Sequence, residues 1–156
     1  MKSIWYYNYP IGTIGIAEND GAISHVFFGR DKNREGFEVI QTPLIQEAAV
    51  QLSAYFTGKG REFDLPLSLQ GTEFQQSVWK ALQTIAAGET SSYKEIAVQI
   101  GNPKAGRAVG MANHRNPIAI IVPCHRVVGA DGSLTGYGGG LPKKQYLLDL
   151  EKRYYA

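Results

Sequence analysis

The chain has 156 residues, 44% of them hydrophobic, and a net charge of +2, a composition that fits a globular protein with a buried core and excludes a disordered chain. No run approaches the roughly eighteen consecutive apolar residues of a membrane span. The opening "MKSIWYYNYPIG" lacks the uninterrupted apolar core of a signal peptide, so a cytoplasmic protein without membrane association is expected. One cysteine, Cys124, excludes an internal disulfide, and the scattered His25, His114 and His125 argue against a metal site.

Residues 11–28, "IGTIGIAENDGAISHVFF", read as two strands around Asn19-Asp20-Gly21, residue types that accept the positive φ of a hairpin turn. Between Thr42 and Thr57, Leu44, Ala48, Leu52, Tyr55 and Phe56 recur at helical spacing, with Thr42 as cap, Pro43 in the first turn and Gly58 as stop. The stretch "GREFDLPLSLQG" has glycine at both ends and a central proline, which suits an edge strand or linker and places a domain boundary near residue 70.

The second half reads as helical. Thr72 with Gln75 forms a capping box for a helix whose apolar face is Phe74, Val78, Leu82 and Ile85, and Ser92 with Glu95 forms another for a helix carrying Ile96, Ala97 and Ile100. Gly101 ends that helix, and Asn102 with Pro103 suits the start of the next, so residues 92–116 become a helix, a short turn and a helix. The second of these is rich in glycine and alanine, which serves either tight helix packing or close approach to a DNA groove. "IAIIV" after Pro117 reads as a buried strand or extended segment, and "GADGSLTGYGGG" as a glycine-dense loop. A terminal helix follows, with Leu147, Leu150 and Tyr154 on its buried face.

Charge is unevenly divided. Residues 1–70 hold 6 basic and 8 acidic side chains, and residues 71–156 hold 10 and 6, giving −2 and +4. Lys94, Lys104, Arg107, Arg115 and Arg126 face a single acid, Glu95, between residues 94 and 126, which suits an anionic partner or a plain solvated face. Within "IAIIVPCHRVVG" the lone Cys124 fits an inert core position, but Pro123 breaks regular pairing and His125 and Arg126 follow at once. Such neighbours lower a thiol's pKa and favour the thiolate. In an extended chain His125 would point away from Cys124 and take its proton through a water. Glu151, at the edge of the terminal helix's buried stripe, could orient His125 or form a rim salt bridge with Lys152 or Arg153. Tyr93 could supply a phenol proton.

From Gly71 to Glu151, "TEFQQSVWKAL" and "SSYKEIAVQIGNPKAGRAVGMANHRNPIAIIVPCHRVVGADGSLTGYGGGLPKKQYLLDLE" resemble the O6-alkylguanine-DNA alkyltransferase family, the methylated-DNA–protein-cysteine methyltransferases. The Pro-Cys-His-Arg-Val core with Arg-Ala-Val-Gly and Asn-Pro upstream is the specific part; residues 1–70 match only in general plan. The resemblance implies an α+β fold: a ribonuclease H-like α/β domain over residues 1–70, then a mainly helical domain over 71–156 with a helix-turn-helix and a cysteine active-site segment. It implies a monomer that binds double-stranded DNA in the minor groove and flips an O6-alkylguanine into a pocket. Arg107 would fill the stack, with Ser92, Lys104, Ala105, Ala108, Gly110 and Arg115 also at the DNA. Cys124 would take the alkyl group, His125 and Glu151 would sustain its thiolate, and Tyr93 would donate to guanine. Asn116 would brace the active-site turn and Lys144 would bond nearby backbone. Pro123, Val127, Tyr137, Gly138 and Gly139 would line the guanine pocket.

The thioether product would leave each molecule spent after one transfer, with no cofactor. Some positions depart from the family's usual pattern: Ile85-Ala86-Ala87-Gly88 replaces an Ile-Pro segment, Gly138 replaces a serine and Ala119 a proline of some members. Gly138 removes a side-chain hydroxyl from the guanine pocket and leaves backbone to do that work, Ala119 bears on which alkyl groups are admitted, and the resemblance leaves open whether O4-alkylthymine is also repaired. A DNA-binding protein without transfer activity and a Cys-His hydrolase are the competing classes.

Overall fold

In the computed structural model, which describes residues 1–30 and 35–156, the turn at Asp20-Gly21 carries φ angles of 51° and 85°, as a two-residue hairpin requires. It joins β2 (Gly12–Asn19) to β3 (Ala22–Phe28). A strand not foreseen, β1 (Lys2–Tyr9), pairs antiparallel with β2, and the two-residue β4 (Glu38–Val39) runs parallel to β1, giving the order β3-β2-β1-β4. Helix α1 (Pro43–Phe56) packs on this sheet, begun by Thr42, whose hydroxyl accepts from the Ile45 amide. Ile45, Ala48, Leu52 and Tyr55 are fully buried beneath it with Ile14, Ile16 and Ile23, while Leu44 stays half-buried. The Pro66–Ser68 stretch lies along β3, bonded through Ile23 N to Pro66 O and Ser68 N to Ile23 O, each 2.8 Å. The chain divides here into two units, Met1–Leu69 and Gln70–Ala156.

In the second unit α2 (Glu73–Leu82) and α3 (Tyr93–Gln99) each start on the expected capping box, Thr72 with Gln75 and Ser92 with Glu95. Helix α3 ends at Gly101 (φ 82°), where Gly101 N reaches Val98 O and Asn102 N reaches Ala97 O, a Schellman closure. Helix α4 (Gly106–His114) begins later than Asn102-Pro103 suggested. Those residues instead form a β-turn closed by Ala105 N to Asn102 O at 3.0 Å, with proline in its favoured second position. The order α3, turn, α4 is the helix-turn-helix, and Trp79 of α2 donates its indole N–H to Ala112 O of α4 at 2.8 Å. Helix α5 (Leu141–Tyr154) buries Lys144, Leu147, Leu150 and Glu151. Tyr154 is 41% exposed, contrary to the sequence reading, and Tyr155 turns inward in its place at 7%. None of the helices among the described residues is long and apolar enough to cross a membrane.

"IAIIV" is buried but not a strand. Bonds from Ile121 N to Ala119 O and from Val122 N to Ile118 O fold it into tight turns, and Ile120 sits at φ 71°. That left-handed setting of a β-branched residue costs about 1–3 kcal/mol, offset by the burial of Ile118, Ile120 and Val122.

Gly15 of β2 leaves no room for a side chain, since its Cβ would fall 2.3 Å from the Phe27 ring. Gly15→Ala is expected to lower stability by about 1–3 kcal/mol through displacement of Phe27, read as a lower urea midpoint with an unchanged slope.

Candidate active site and nucleic-acid interface

Cys124 opens a 3-10 turn, Cys124–Arg126, that follows directly on the folded apolar run. Pro123 (φ −82°, ψ 64°) makes an inverse γ-turn closed by Cys124 N to Val122 O at 2.8 Å, so the chain reverses immediately before the sulfur. Two asparagines from the α4 region take the carbonyls a strand neighbour would have taken. Asn116 donates to Val122 O (2.8 Å) and Ile118 O (3.3 Å) and accepts from Ile118 N, while Asn113 donates to Cys124 O at 3.2 Å. Asn113 carried no signal in the sequence beyond its neighbourhood.

The His125–Glu151 pair, one of the two options that spacing left open and the one the resemblance implied, is made by the fold. His125 Nε2 lies 2.5 Å from Glu151 Oε2. Arg126, counted from the sequence only as charge, grips the same carboxylate from Nε (2.8 Å) and Nη2 (3.0 Å) and donates from Nη1 to Ile85 O. Gly88 N donates to Glu151 Oε1 at 3.2 Å, and a Cβ at Gly88 would strike the Tyr155 and Ala156 backbone at 2.8 Å. Thus Glu151 sits 1% exposed among donors rather than in a rim salt bridge.

Burial alone would push the Glu151 carboxyl up, but the hydrogen bonds from His125 and Arg126 and the charge of Arg126 outweigh it and hold it well below the ordinary carboxylate range. Burial pushes His125 below its ordinary value against the pull of Glu151, so the ring is neutral. A carboxylate against Nε2 requires the proton there, which leaves Nδ1 as the lone-pair nitrogen; Nδ1 is buried and has no hydrogen-bond partner among the described residues.

The thiol departs from expectation. Cys124 is 6% exposed, and burial raises its pKa, while a hydrogen bond from Asn116 and the charge of Lys144 oppose this without overcoming it. The resting group is a thiol, not the thiolate that its basic neighbours suggested. Nor is the Cys-His pair extended, because both residues lie in one 3-10 turn.

Lys144, fully buried on α5, donates to Val127 O at 2.6 Å and Thr135 O at 3.1 Å. Val127–Val128 forms the short strand β6, which pairs parallel with β5 (Ser91–Ser92) and so brings the start of α3 beside the cysteine turn. Tyr93, first in α3, has its phenol oxygen 2.6 Å from Thr135 Oγ1. Burial, followed by the charge of the nearby Glu151, raises the Tyr137 phenol pKa well above its ordinary value. Gly138 is exposed and Gly139 half-buried in the same loop.

Outside this cluster, α4 presents Arg107, Ala108, Met111 and His114 to solvent and turns Val109, Ala112 and Asn113 inward. Lys104 and Arg115 are exposed at its two ends, and Ala105 is half-buried. Gly110 faces Tyr93, whose ring would stand 3.8 Å from an added Cβ, and Ser92 spends its hydroxyl capping Glu95 N at 3.0 Å. Met111, 58% exposed in a basic setting, had no sequence signal.

Residues 73–153 match the family described as "6-O-methylguanine DNA methyltransferase, DNA binding domain", and residues 4–69 match its "ribonuclease-like domain". The methylated-DNA–protein-cysteine methyltransferase of Mycobacterium leprae is 67% identical over 146 residues, 92% of this chain and 88% of that protein. That of Methanosarcina barkeri is 55% identical over 146 residues, 92% of each. The crystal structure of Mycobacterium tuberculosis OGT in complex with DNA superposes with a TM-score of 0.92 at 50% identity, covering 97% of this chain and 94% of that one. This chain belongs to the O6-alkylguanine-DNA alkyltransferase, or methylated-DNA–protein-cysteine methyltransferase, family.

Both members of the His125–Glu151 pair have folded pKa values below their unfolded ones, so each gives stability that is present at higher pH and lost on acidification. Unfolding free energy is therefore expected to fall as pH drops below about 6.5, where the unfolded histidine gains its proton, and further below about 4.3, where the unfolded carboxylate does. Glu151→Gln is expected to cost about 3–5 kcal/mol at neutral pH by stranding Arg126, and to flatten the lower part of the profile. Urea titrations across pH 4–8 check both.

Proposed function

We propose that this protein repairs double-stranded DNA by moving the alkyl group of an O6-alkylguanine onto Cys124, once per molecule, as a monomer and without a cofactor. One observation carries the reading: Cys124 heads a turn whose next residue, His125, has its tautomer set by a buried carboxylate, leaving a basic nitrogen at the site of the only thiol. Residues 71–156 form the DNA-binding and alkyl-accepting domain, and the exposed face of α4 supplies the contact to the duplex.

Binding begins with the positive charge of Lys104, Arg107 and Arg115 against phosphate. Arg107 enters the stack as the damaged base turns out, an extrusion that costs a few kcal/mol and less for a weakened pair. The base then lies between the loop at Tyr137, Gly138 and Gly139 and the turn at Pro123 and Val127. His125 Nδ1 takes the thiol proton through water as the alkyl carbon approaches, which resolves the cost of a buried thiolate by forming it only when needed. Sulfur attacks in line, the C–O6 bond breaks, and Tyr93 supplies a proton to the guanine as negative charge arrives there. Asn116 and Lys144 keep the turn in place throughout. The thioether offers only the sulfur as a leaving group, and a poor one, so the reaction stops at one equivalent.

Incubation with a duplex containing O6-methylguanine is expected to add about 14 Da, methyl in place of hydrogen, to the Cys124 peptide and to stop at one equivalent. A protein that binds the lesion with no mass gain has recognition only, and one that turns over repeatedly on an ester or amide is a hydrolase. Cys124→Ala is expected to keep DNA affinity and lose transfer. Arg107→Ala is expected to weaken duplex binding by about 1–3 kcal/mol in a fluorescence titration and to slow repair at limiting DNA.

A further inference from the structure

Thr135 lies in the glycine-dense loop between β6 and α5 and meets two partners through two different groups. Its hydroxyl oxygen stands 2.6 Å from the Tyr93 phenol oxygen, and its carbonyl accepts from Lys144 Nζ at 3.1 Å. Lys144 also holds Val127 O, one residue past the cysteine turn, so a single loop residue is staked to both α3 and α5. The backbone bond fixes where the Thr135 side chain starts, and the side chain fixes where the phenol ends.

Two hydroxyls 2.6 Å apart share one proton between them, and the other is free to point elsewhere. If Tyr93 is to donate to a guanine, its own proton must be the free one, and the shared proton must belong to Thr135. We infer that Thr135 is a positioning residue for Tyr93: its hydroxyl donates to the phenol oxygen, directs the phenol proton at the flipped base, and supports the charge left on that oxygen. The inference rests on the alkyl-transfer reading above. In that step the Sγ–carbon bond forms and the carbon–O6 bond breaks, its electron pair passing to the guanine. The Tyr93 proton moves to the guanine, and the negative charge that began on sulfur ends on the phenol oxygen, against the Thr135 hydroxyl.

The test is a single-turnover rate series on duplex containing O6-methylguanine, with protein in excess at saturating DNA, read as methylated Cys124 peptide. Thr135→Val is expected to slow transfer about 10- to 100-fold, the weight of one hydrogen bond to a charged group, with duplex affinity unchanged. Thr135→Ser keeps the hydroxyl and is expected to restore most of the rate. In the Tyr93→Phe background Thr135→Val is expected to have no further effect, because the group through which it acts is gone. An equal slowing in both backgrounds would mark Thr135 as a loop anchor only, and a native rate for Thr135→Val would show that its hydroxyl is not used; either result overturns the inference. A native protein that never gains the methyl group brings down the transfer reading beneath it instead, an outcome that the unsubstituted control alone reveals.

Discussion

The second unit is organised by a carboxylate that has been taken out of water. Moving Glu151 into the interior costs several kcal/mol unless its oxygens are satisfied, and here they receive two bonds from Arg126, one from His125 and one from the Gly88 amide. Those donors come from the cysteine turn and from the loop that follows α2, and the carboxylate comes from α5 at the far end of the unit. One side chain thereby ties three distant stretches together. Arg126, bonded to both carboxylate oxygens, holds Glu151 ionised, and an ionised Glu151 in turn holds the His125 proton on Nε2.

This arrangement separates two requirements that oppose each other in a nucleophile. A buried sulfur excludes stray reagents but resists ionisation, and the rise in the Cys124 pKa with burial expresses that resistance. Placing the positive charge on Arg126, paired with Glu151, and leaving His125 neutral gives the site a base without a permanent cation on the sulfur itself. The charged groups stabilise one another, and in the proposed transfer the thiol is left to be deprotonated at the moment of use.

Local signals in the sequence were reliable where one residue decides one conformation. Asp20-Gly21 specified a hairpin, Thr72 and Ser92 specified helix starts, and Gly101 a helix end, because each acts through its own backbone or nearest turn. Signals failed where the deciding group comes from elsewhere. "IAIIV" has the composition of a strand, yet Asn116 occupies its Ile118 and Val122 carbonyls and Pro117 and Pro123 bracket it, so it folds into turns. Asn102-Pro103 suits a helix start and a β-turn equally, and the Schellman closure of α3 leaves the chain heading into the turn. Tyr154 and Tyr155 differ by one position, and the end of α5 lets the second, not the first, reach the interior. Cys124 was read by its neighbours in sequence, whereas its acidity follows from the apolar residues packed around it. The Glu151–His125 pairing was legible as one of two options; Arg126 and Thr135 were not, since a basic residue and a loop threonine are common and only the fold shows what they touch.

The bond from the Trp79 indole to the Ala112 carbonyl has an optical consequence. The chain has two tryptophans, and they fall in different units: Trp5 on β1, half-buried, and Trp79 buried against α4. With Trp5 replaced by phenylalanine, the remaining tryptophan emission comes from an indole hydrogen-bonded to the helix that carries Arg107. The chain therefore contains an intrinsic fluorophore bonded to α4, and a shift of α4 changes the colour or intensity of that emission without any attached label.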